Sequence, residues 1–445
     1  LNQIYHIGSH QYSHLLRKVD VSPKVLDRLE TDAGQEVGSA GAVFAVQSSL
    51  IKIERLSDRR RHIIDSLLMG RGMPVGSTPD SATSWTLAYV RGPNVTDKQT
   101  ILSFAQMAAS AYFTQPVRDD WINIGFNYTE DFGWEDDGLR GHIFADPQNK
   151  TVVISLKGTS LAFLDGSETQ GNDRRNDNLF GSCCCGQGGH YAWEKVCDCQ
   201  TSEYVCNSTC LTQSLQKKSA YYHAALDLYH NITALYPNAD IWLTGHSLGG
   251  VVSSLLGQTF GLPTVTFEAF PDALAAQRLG LPTPPGHHVG IKSSYTGIFH
   301  FGHTADPVYM GICNSFNSPC TVAGFAFQSE CHTGYNCTYD TVKDLGWGVS
   351  IGTHRITSVI RDVIERYNST PVCVQHTNCV DCSRWTFLEG NGTQSTTSAT
   401  RTITSTSTGQ STTTTCQTPG WWGCRDKTTT MSTPLTTTTS TSPDL

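Results

Sequence analysis

The sequence predicts an α/β fold with a mostly parallel central sheet covered by helices on both faces, and three observations predict it. Apolar runs of strand length alternate along the chain with segments whose apolar residues recur every three or four positions. One run, Ile241-Trp242-Leu243-Thr244, passes through the glycine-rich Gly245-His246-Ser247-Leu248-Gly249-Gly250 into Val251-Val252-Ser253-Ser254-Leu255-Leu256, a strand, a sharp turn and a helix in sequence. Two further apolar runs follow it with a helical segment between them, the alternation that buries parallel strands on both faces.

Taken in order, residues 100–113 have helical spacing, with Ile101, Phe104, Ala105, Ala108 and Tyr112 on the apolar side. Asp146-Pro147-Gln148-Asn149 is a turn signal between residues 139–145 and 151–156, which reads as a hairpin. Tyr221, Ala225, Leu228, Ile232 and Leu235 fall on one helical face just before the strand at 241. After the glycine-rich turn come a strand at 264–267, a helix over 272–279 and a strand at 298–301. Ile356, Val359, Ile360, Val363, Ile364 and Tyr367 predict a last amphipathic helix. No internal repeat is present.

The 445 residues divide into a domain over 1–390 and a Thr/Ser-rich tail over 391–445. The first includes an N-terminal extension of about 1–95 and a cysteine-rich insertion of about 165–215. A tail of Thr412-Thr413-Thr414-Thr415 type cannot bury a core and is expected to be disordered. Its one island, Cys416 to Cys424, holds Trp421 and Trp422, which would dock on a lipid interface or fold back on the main domain. Sixteen cysteines accompany eight Asn-x-Ser/Thr sequons, at Asn94, Asn127, Asn149, Asn207, Asn231, Asn336, Asn368 and Asn391. Together they indicate a secretory, oxidising route and glycosylation. A net charge of −8 gives no footprint for nucleic acid. No stretch approaches the roughly 20 apolar residues of a membrane span. The chain starts at Leu1 rather than Met, and we expect a targeting or anchoring segment to precede it in the native protein.

Gly245 and Gly249 flank Ser247 as in a Gly-x-Ser-x-Gly elbow, which lifts a serine above the carboxyl end of a strand. A serine hydroxyl attacks only if a base removes its proton, and a carboxylate must hold that base in the right tautomer. In this architecture the chain order is serine, acid, histidine. Asp306 directly follows the strand at 298–301, with Pro307 stiffening its loop. Asp272 is the rival, with a helix N-terminal position as its ordinary explanation. His354, between a loop and the last helix, is the expected base; His303 is expected to order the acid loop, and His246 to pack beneath the turn. The oxyanion needs two donors, the N–H of Leu248 and one from Thr159, which could offer N–H and hydroxyl alike. Leu161, Phe163 and Leu164 would form either core or a hinged lid exposing apolar surface to lipid. No cofactor is implied. The insertion carries Cys183, Cys184, Cys185, Cys197, Cys199, Cys206 and Cys210 with His190. Zinc is a rival reading, but the spacing fits no finger pair and an oxidised insert at the rim of the site, with no metal, is expected. Seven is odd, so at least one of these thiols pairs elsewhere or stays free.

Four motifs in this order, Lys157-Gly158-Thr159-Ser160 after a strand, Gly-His-Ser-Leu-Gly-Gly, His303-Thr304-Ala305-Asp306-Pro307-Val308 and Gly352-Thr353-His354, resemble the class 3, fungal-type lipases over about residues 98–367. The segments 266–271 and 301–306 and the cysteine-rich insertion are more narrowly similar to the fungal autophagy lipases, which break down autophagic bodies in the vacuole. The resemblance implies an α/β-hydrolase fold, a Ser247, Asp306 and His354 triad, and a glycosylated phospholipase-type enzyme held in the vacuole lumen by an N-terminal anchor that this sequence lacks. Its substrate would be phospholipid membrane, with no obligate protein partner. A triacylglycerol or soluble-ester hydrolase and a non-catalytic surface glycoprotein are the alternatives, since fold does not decide substrate. An acidic compartment raises a difficulty, because an ordinary imidazole is largely protonated near pH 5 and cannot serve as a base.

Overall fold

The computed structural model describes residues 46–70, 85–112, 127–132, 138–146, 148–159, 171–186, 193–218, 220–284, 295–376, 378–389, 419–420 and 423–424. The chain forms two units, Leu1–Ser395 and Thr396–Leu445. In chain order the first contains β1 (Ser48–Leu56), α1 (Arg61–Gly70), β2 (Trp85–Pro93), α2 (Lys98–Ser110), β3 (Asn127–Phe132), β4 (Gly141–Ala145), β5 (Thr151–Leu156), α3 (Gly171–Gly181), β6 (Gln200–Ser202), β7 (Val205–Asn207), α4 (Ser208–Lys218), α5 (Ala220–Leu235) and β8 (Asp240–His246). There follow α6 (Leu248–Phe260), β9 (Thr264–Phe267), α7 (Ala273–Leu279), β10 (Ile298–His303), α8 (Pro319–Val322), β11 (Tyr335–Tyr339), α9 (Thr341–Leu345), a 3₁₀ turn (Ile351–His354), α10 (Ile356–Ser358) running into a π-helical turn (Val359–Ile364), β12 (Cys373–Val374) and β13 (Thr386–Leu388).

Alternation along the central strands decides the layers. Val152, Ile154, Ile241 and Leu243 pack in one cluster with Leu228 and Ile232 of α5 and Val251 and Leu255 of α6. Val153, Trp242 and Val265 face the other way, onto Ile101 and Phe104 of α2 and Ile360 of the last helical segment. The sheet therefore lies between two helical layers. Its order is β12-β11-β10-β9-β8-β5-β4-β3. The centre is parallel, from β5 through β8, β9 and β10 to β11. The antiparallel pairs lie toward the edges, β3 with β4, β4 with β5 and β11 with β12. This is the mostly parallel α/β-hydrolase arrangement that the sequence predicts.

Local chemistry sets several boundaries. The Asp146 carboxylate accepts from the N–H groups of Gln148, Lys150 and Thr151 at 2.9, 2.9 and 3.1 Å, and closes the hairpin between β4 and β5. Asp97 caps α2 by accepting from Thr100 N at 2.8 Å. The last helix departs from expectation: after one α turn it widens, and Glu365 N donates to Ile360 O five residues back at 2.9 Å. The wider turn keeps Val359, Ile360, Val363 and Ile364 buried together, and the same apolar spacing serves either helix type. Leu235, at the end of α5, leaves its apolar face and is 39% exposed.

The insertion is oxidised. Cys184–Cys206, Cys185–Cys197 and Cys199–Cys210 close within it, and Cys183 reaches out to Cys382. The seventh thiol thus has its partner 199 residues away in sequence. Cys313–Cys320, Cys331–Cys379 and Cys337–Cys373 tie the region around the sheet's far edge. In the second unit, Pro419–Gly420 pairs antiparallel with Gly423–Cys424; Cys416, Trp421 and Trp422 lie outside the described residues. So do Leu161, Phe163 and Leu164 of the expected lid, His190, and Asn391.

Candidate active site

Four loops meet at the carboxyl ends of the parallel strands, where open α/β sheets place their chemistry. Residues 157–159 follow β5, Ser247 follows β8, Glu268 follows β9 and Asp306 follows β10. At Ser247 the backbone turns with φ 54° and ψ −127°, outside the range a serine ordinarily adopts. Packing holds it there. A Cβ on Gly245 would come within 2.5 Å of the Gly249 backbone, and one on Gly249 within 2.1 Å of Leu156 O, so strand and helix approach only because both residues are glycine.

The three residues predicted for proton transfer come together. His354 Nε2 is 3.0 Å from Ser247 Oγ, and His354 Nδ1 is 2.6 Å from Asp306 Oδ2. All three are buried, Ser247 with 4% of its surface exposed and Asp306 with none. Burial alone would raise the Asp306 carboxyl, but the adjoining His354 and hydrogen bonds from His354 and Glu268 hold it down at about 2. With Asp306 ionised, His354 carries its proton on Nδ1 and turns the Nε2 lone pair toward the serine. The arrangement can activate Ser247 for attack on a carbonyl.

Two supports of His354 were not read from sequence. Tyr112 donates its hydroxyl to His246 Nδ1 at 2.6 Å, and His246 Nε2–H donates to the carbonyl of His354 at 2.7 Å. Burial, then the neighbouring His354, push His246 down to about 3, so it stays neutral as this chain requires. His246 therefore braces the base rather than simply packing beneath the elbow. His303 links two loops: Nε2–H donates to Thr353 O at 3.2 Å, and Nδ1 is 3.1 Å from Thr341 Oγ1. Thr353 Oγ1 in turn donates to Ala305 O at 3.1 Å, binding the acid loop to the histidine loop.

Leu248 is the first residue of α6, where the helix leaves N–H groups without intrahelical acceptors. Thr159 differs from expectation in part: its hydroxyl donates to the buried Asp177 Oδ2 at 2.6 Å, leaving the N–H as its donor for an oxyanion. Gly158 has no room for a side chain, since a Cβ would meet His246 O at 2.3 Å and Tyr112 Oη at 2.4 Å.

Asp272, the rival acid, belongs to another cluster. It stands at the start of α7 without capping it; its oxygens accept from Thr333 N at 2.7 Å, Thr333 Oγ1 at 2.8 Å and Ser254 Oγ at 2.5 Å. With His300 and His332 it brings three donor atoms within 4.8 Å of one another, a spacing a metal could use. Hydrogen bonds already account for its members except His332 Nδ1. The other close group, Cys185, Cys197 and Cys199, consists of sulfurs in disulfides and offers no thiolates.

Comparison with known proteins shows what the chain is similar to. Residues 187–270 match the model of the lipase (class 3) family. A Passalora fulva protein named "Putative lipase ATG15" is 53% identical over 434 residues, covering 96% of this chain. A Penicillium rubens protein of the same name is 50% identical over 446 residues, covering 97%. The chain is thus similar to the class 3 lipases. It spans 65% and 64% of the lengths of those two relatives. Among solved structures, Yarrowia lipolytica LIP2 lipase is 16% identical over 54% of this chain and 79% of its own, with a TM-score of 0.30. A triacylglycerol lipase from Penicillium expansum is 15% identical over 55% and 81%, with a TM-score of 0.29.

Proposed function

We propose that this class 3 lipase relative hydrolyses the acyl esters of membrane phospholipids by way of an acyl-enzyme on Ser247. The contact of Ser247 Oγ with His354 Nε2 at 3.0 Å carries the reading, because it couples a strained, lifted serine to an oriented base. In this mechanism His354 takes the hydroxyl proton as Ser247 attacks the ester carbonyl, and Asp306 stabilises the imidazolium that forms. The N–H groups of Leu248 and Thr159 receive the oxyanion. Collapse of the tetrahedral intermediate expels the alcohol, protonated by His354, and leaves the acyl group on Ser247. Water, deprotonated by the same imidazole, then releases the fatty acid.

Vacuolar membranes reached along a secretory route are the proposed setting. Supporting it are the disulfides and the names of the relatives, which carry the designation ATG15. Asn149 and Asn368, exposed in turns, are the best placed sequons for glycans; Asn94, Asn207, Asn231 and Asn336 are half-buried, and the side chains of Asn127 and Asn391 lie outside the described residues. Among the described residues no helix is long and apolar enough to cross a membrane.

Ser247→Ala decides the activity. Fatty acid release from phosphatidylcholine vesicles is expected to fall roughly 10⁵- to 10⁶-fold while the protein stays folded, as for other serine nucleophiles. Undiminished release would end the proposal. Wild-type release from triacylglycerol emulsion or a short soluble ester, with none from vesicles, would move the substrate to neutral lipids or soluble esters. Failure of Ser247 to react with a fluorophosphonate would favour a non-catalytic glycoprotein.

A further inference from the structure

Glu268 directly follows β9 and is fully buried, with φ 44°. Its N–H donates to Phe301 O at 2.9 Å, so the parallel pairing of β9 with β10 carries it beside the loop of Asp306. The two carboxyls meet at hydrogen-bonding contact. Facing Glu268 from the neighbouring elements are His303 at the end of β10, Tyr309 beyond Asp306, and Tyr339 at the end of β11, while His354 stands on the far side of Asp306.

Two bare carboxylates in contact, out of water and without a cation among these neighbours, cannot coexist. One must hold a proton. Asp306 accepts the Nδ1–H of His354 and is the ionised member. Glu268 keeps the proton: burial, then the charge of Asp306, push its carboxyl well above the usual range. His303 does not relieve it. Burial lowers that imidazole, its Nε2–H is directed at Thr353 O, and Nε2 lies 3.7 Å from Glu268 Oε1, beyond a hydrogen bond. Among the described residues the one donor to the acid is the His303 N–H, 3.4 Å from Oε2, whereas Oε1 meets no N–H or O–H donor among them, as suits an oxygen that carries the proton itself.

We propose that protonated Glu268 is a positioning residue that donates a hydrogen bond to Asp306, draws on its charge, and so lets His354 serve as a base in more acidic medium than an unshared aspartate would permit. The physical link is electrostatic. Asp306 favours the imidazolium, and a proton shared onto Asp306 from behind weakens that preference while holding the carboxylate in register. This rests on the reading of Ser247, His354 and Asp306 as the catalytic triad.

The test is the pH dependence of kcat/KM for p-nitrophenyl butyrate, with active enzyme counted by fluorophosphonate titration. In Glu268→Ala the acid limb is expected to move up by about one pH unit, roughly a tenfold loss at a pH on that limb, with the alkaline plateau held within a few-fold. In Glu268→Gln the carboxamide N–H still donates, and the limb is expected within about 0.3 unit of wild type. An acid limb unmoved in Glu268→Ala, or moved as far in Glu268→Gln as in Glu268→Ala, would overturn the proposal. Because the limb's position does not depend on how much protein folds, a low yield leaves the outcome readable. Hydrolysis surviving Ser247→Ala would instead overturn the triad, and that result is independent of both Glu268 variants.

Discussion

Two clusters of buried serine, aspartate and histidine lie along α6, and only one has the wiring of a nucleophile. Ser247 precedes the helix and contacts His354, which contacts Asp306. Ser254 lies seven residues later inside the helix, about 10 Å along its axis, and donates straight to Asp272; His300 Nε2 stands 3.7 Å from that carboxylate. In the first cluster the imidazole sits between alcohol and acid, so it can take a proton and be stabilised for doing so. In the second the acid takes the serine's hydrogen bond directly, and the imidazoles stay at the side. Backbone strain follows the same division: Ser247 has φ 54°, whereas Ser254 is an ordinary helical residue with no exposed surface. Residue types alone do not make a catalytic site; order of contact and a lifted backbone do.

The largest expected effect breaks the symmetry between the two acids. Asp306→Asn is expected to lower kcat on a soluble ester by about 10⁴-fold, because the amide holds His354 in the wrong tautomer. Asp272→Asn should leave kcat within about twofold and instead cost about 1–3 kcal/mol of stability, as the hydroxyls of Ser254 and Thr333 lose a charged acceptor. Equal kinetic losses from the two variants would show that the second cluster takes part in turnover.

A smaller effect separates the serines. Ser254→Ala removes one of three hydrogen bonds to Asp272 and should cost about 1–2 kcal/mol in urea unfolding, with kcat unchanged. A loss of activity approaching that expected for Ser247→Ala would mean that the helix interior couples to the elbow more tightly than its contacts indicate.

The first cluster was legible in the sequence because its motifs are local. A strand, Gly245, Ser247, Gly249 and a helix stand contiguous, and Asp306 and His354 each sit where a strand or loop ends. Glu268 was not legible: it is 38 residues from Asp306 and touches it only because β9 and β10 are neighbours in the sheet order. Thr159 with Asp177, and Tyr112 with His246, hide for a related reason, each pair joined where a helix packs beside the end of a strand rather than by spacing. An odd cysteine count could require an outside partner for the insertion, but only the fold could pick Cys382. The π turn after Ser358 escaped because apolar residues at 356, 359, 360, 363 and 364 suit an α-helix equally well.

The finest distinction between the clusters is in how stability responds to acid. Burial is the main cause that holds His300 and His332 at about 3, against an ordinary 6.5. The unfolded chain therefore takes up protons on these residues as pH falls below 6.5, while the folded chain refuses them until about 3. Their contribution to stability is complete above 6.5 and is lost through that window, by up to about 1.4 kcal/mol per pH unit for each histidine. Asp272 works against this loss. Its carboxyl is raised, chiefly by burial, so the folded state takes its proton more readily as the medium is acidified. His332→Gln removes one reluctant imidazole, and the slope of unfolding free energy between pH 6 and 4 should become shallower by about 1 kcal/mol per pH unit. An unchanged slope would mean that His332 takes its proton in the folded state, and Asp272 would then be the partner that stabilises it, making the second cluster an ion pair rather than a carboxylate beside neutral imidazoles.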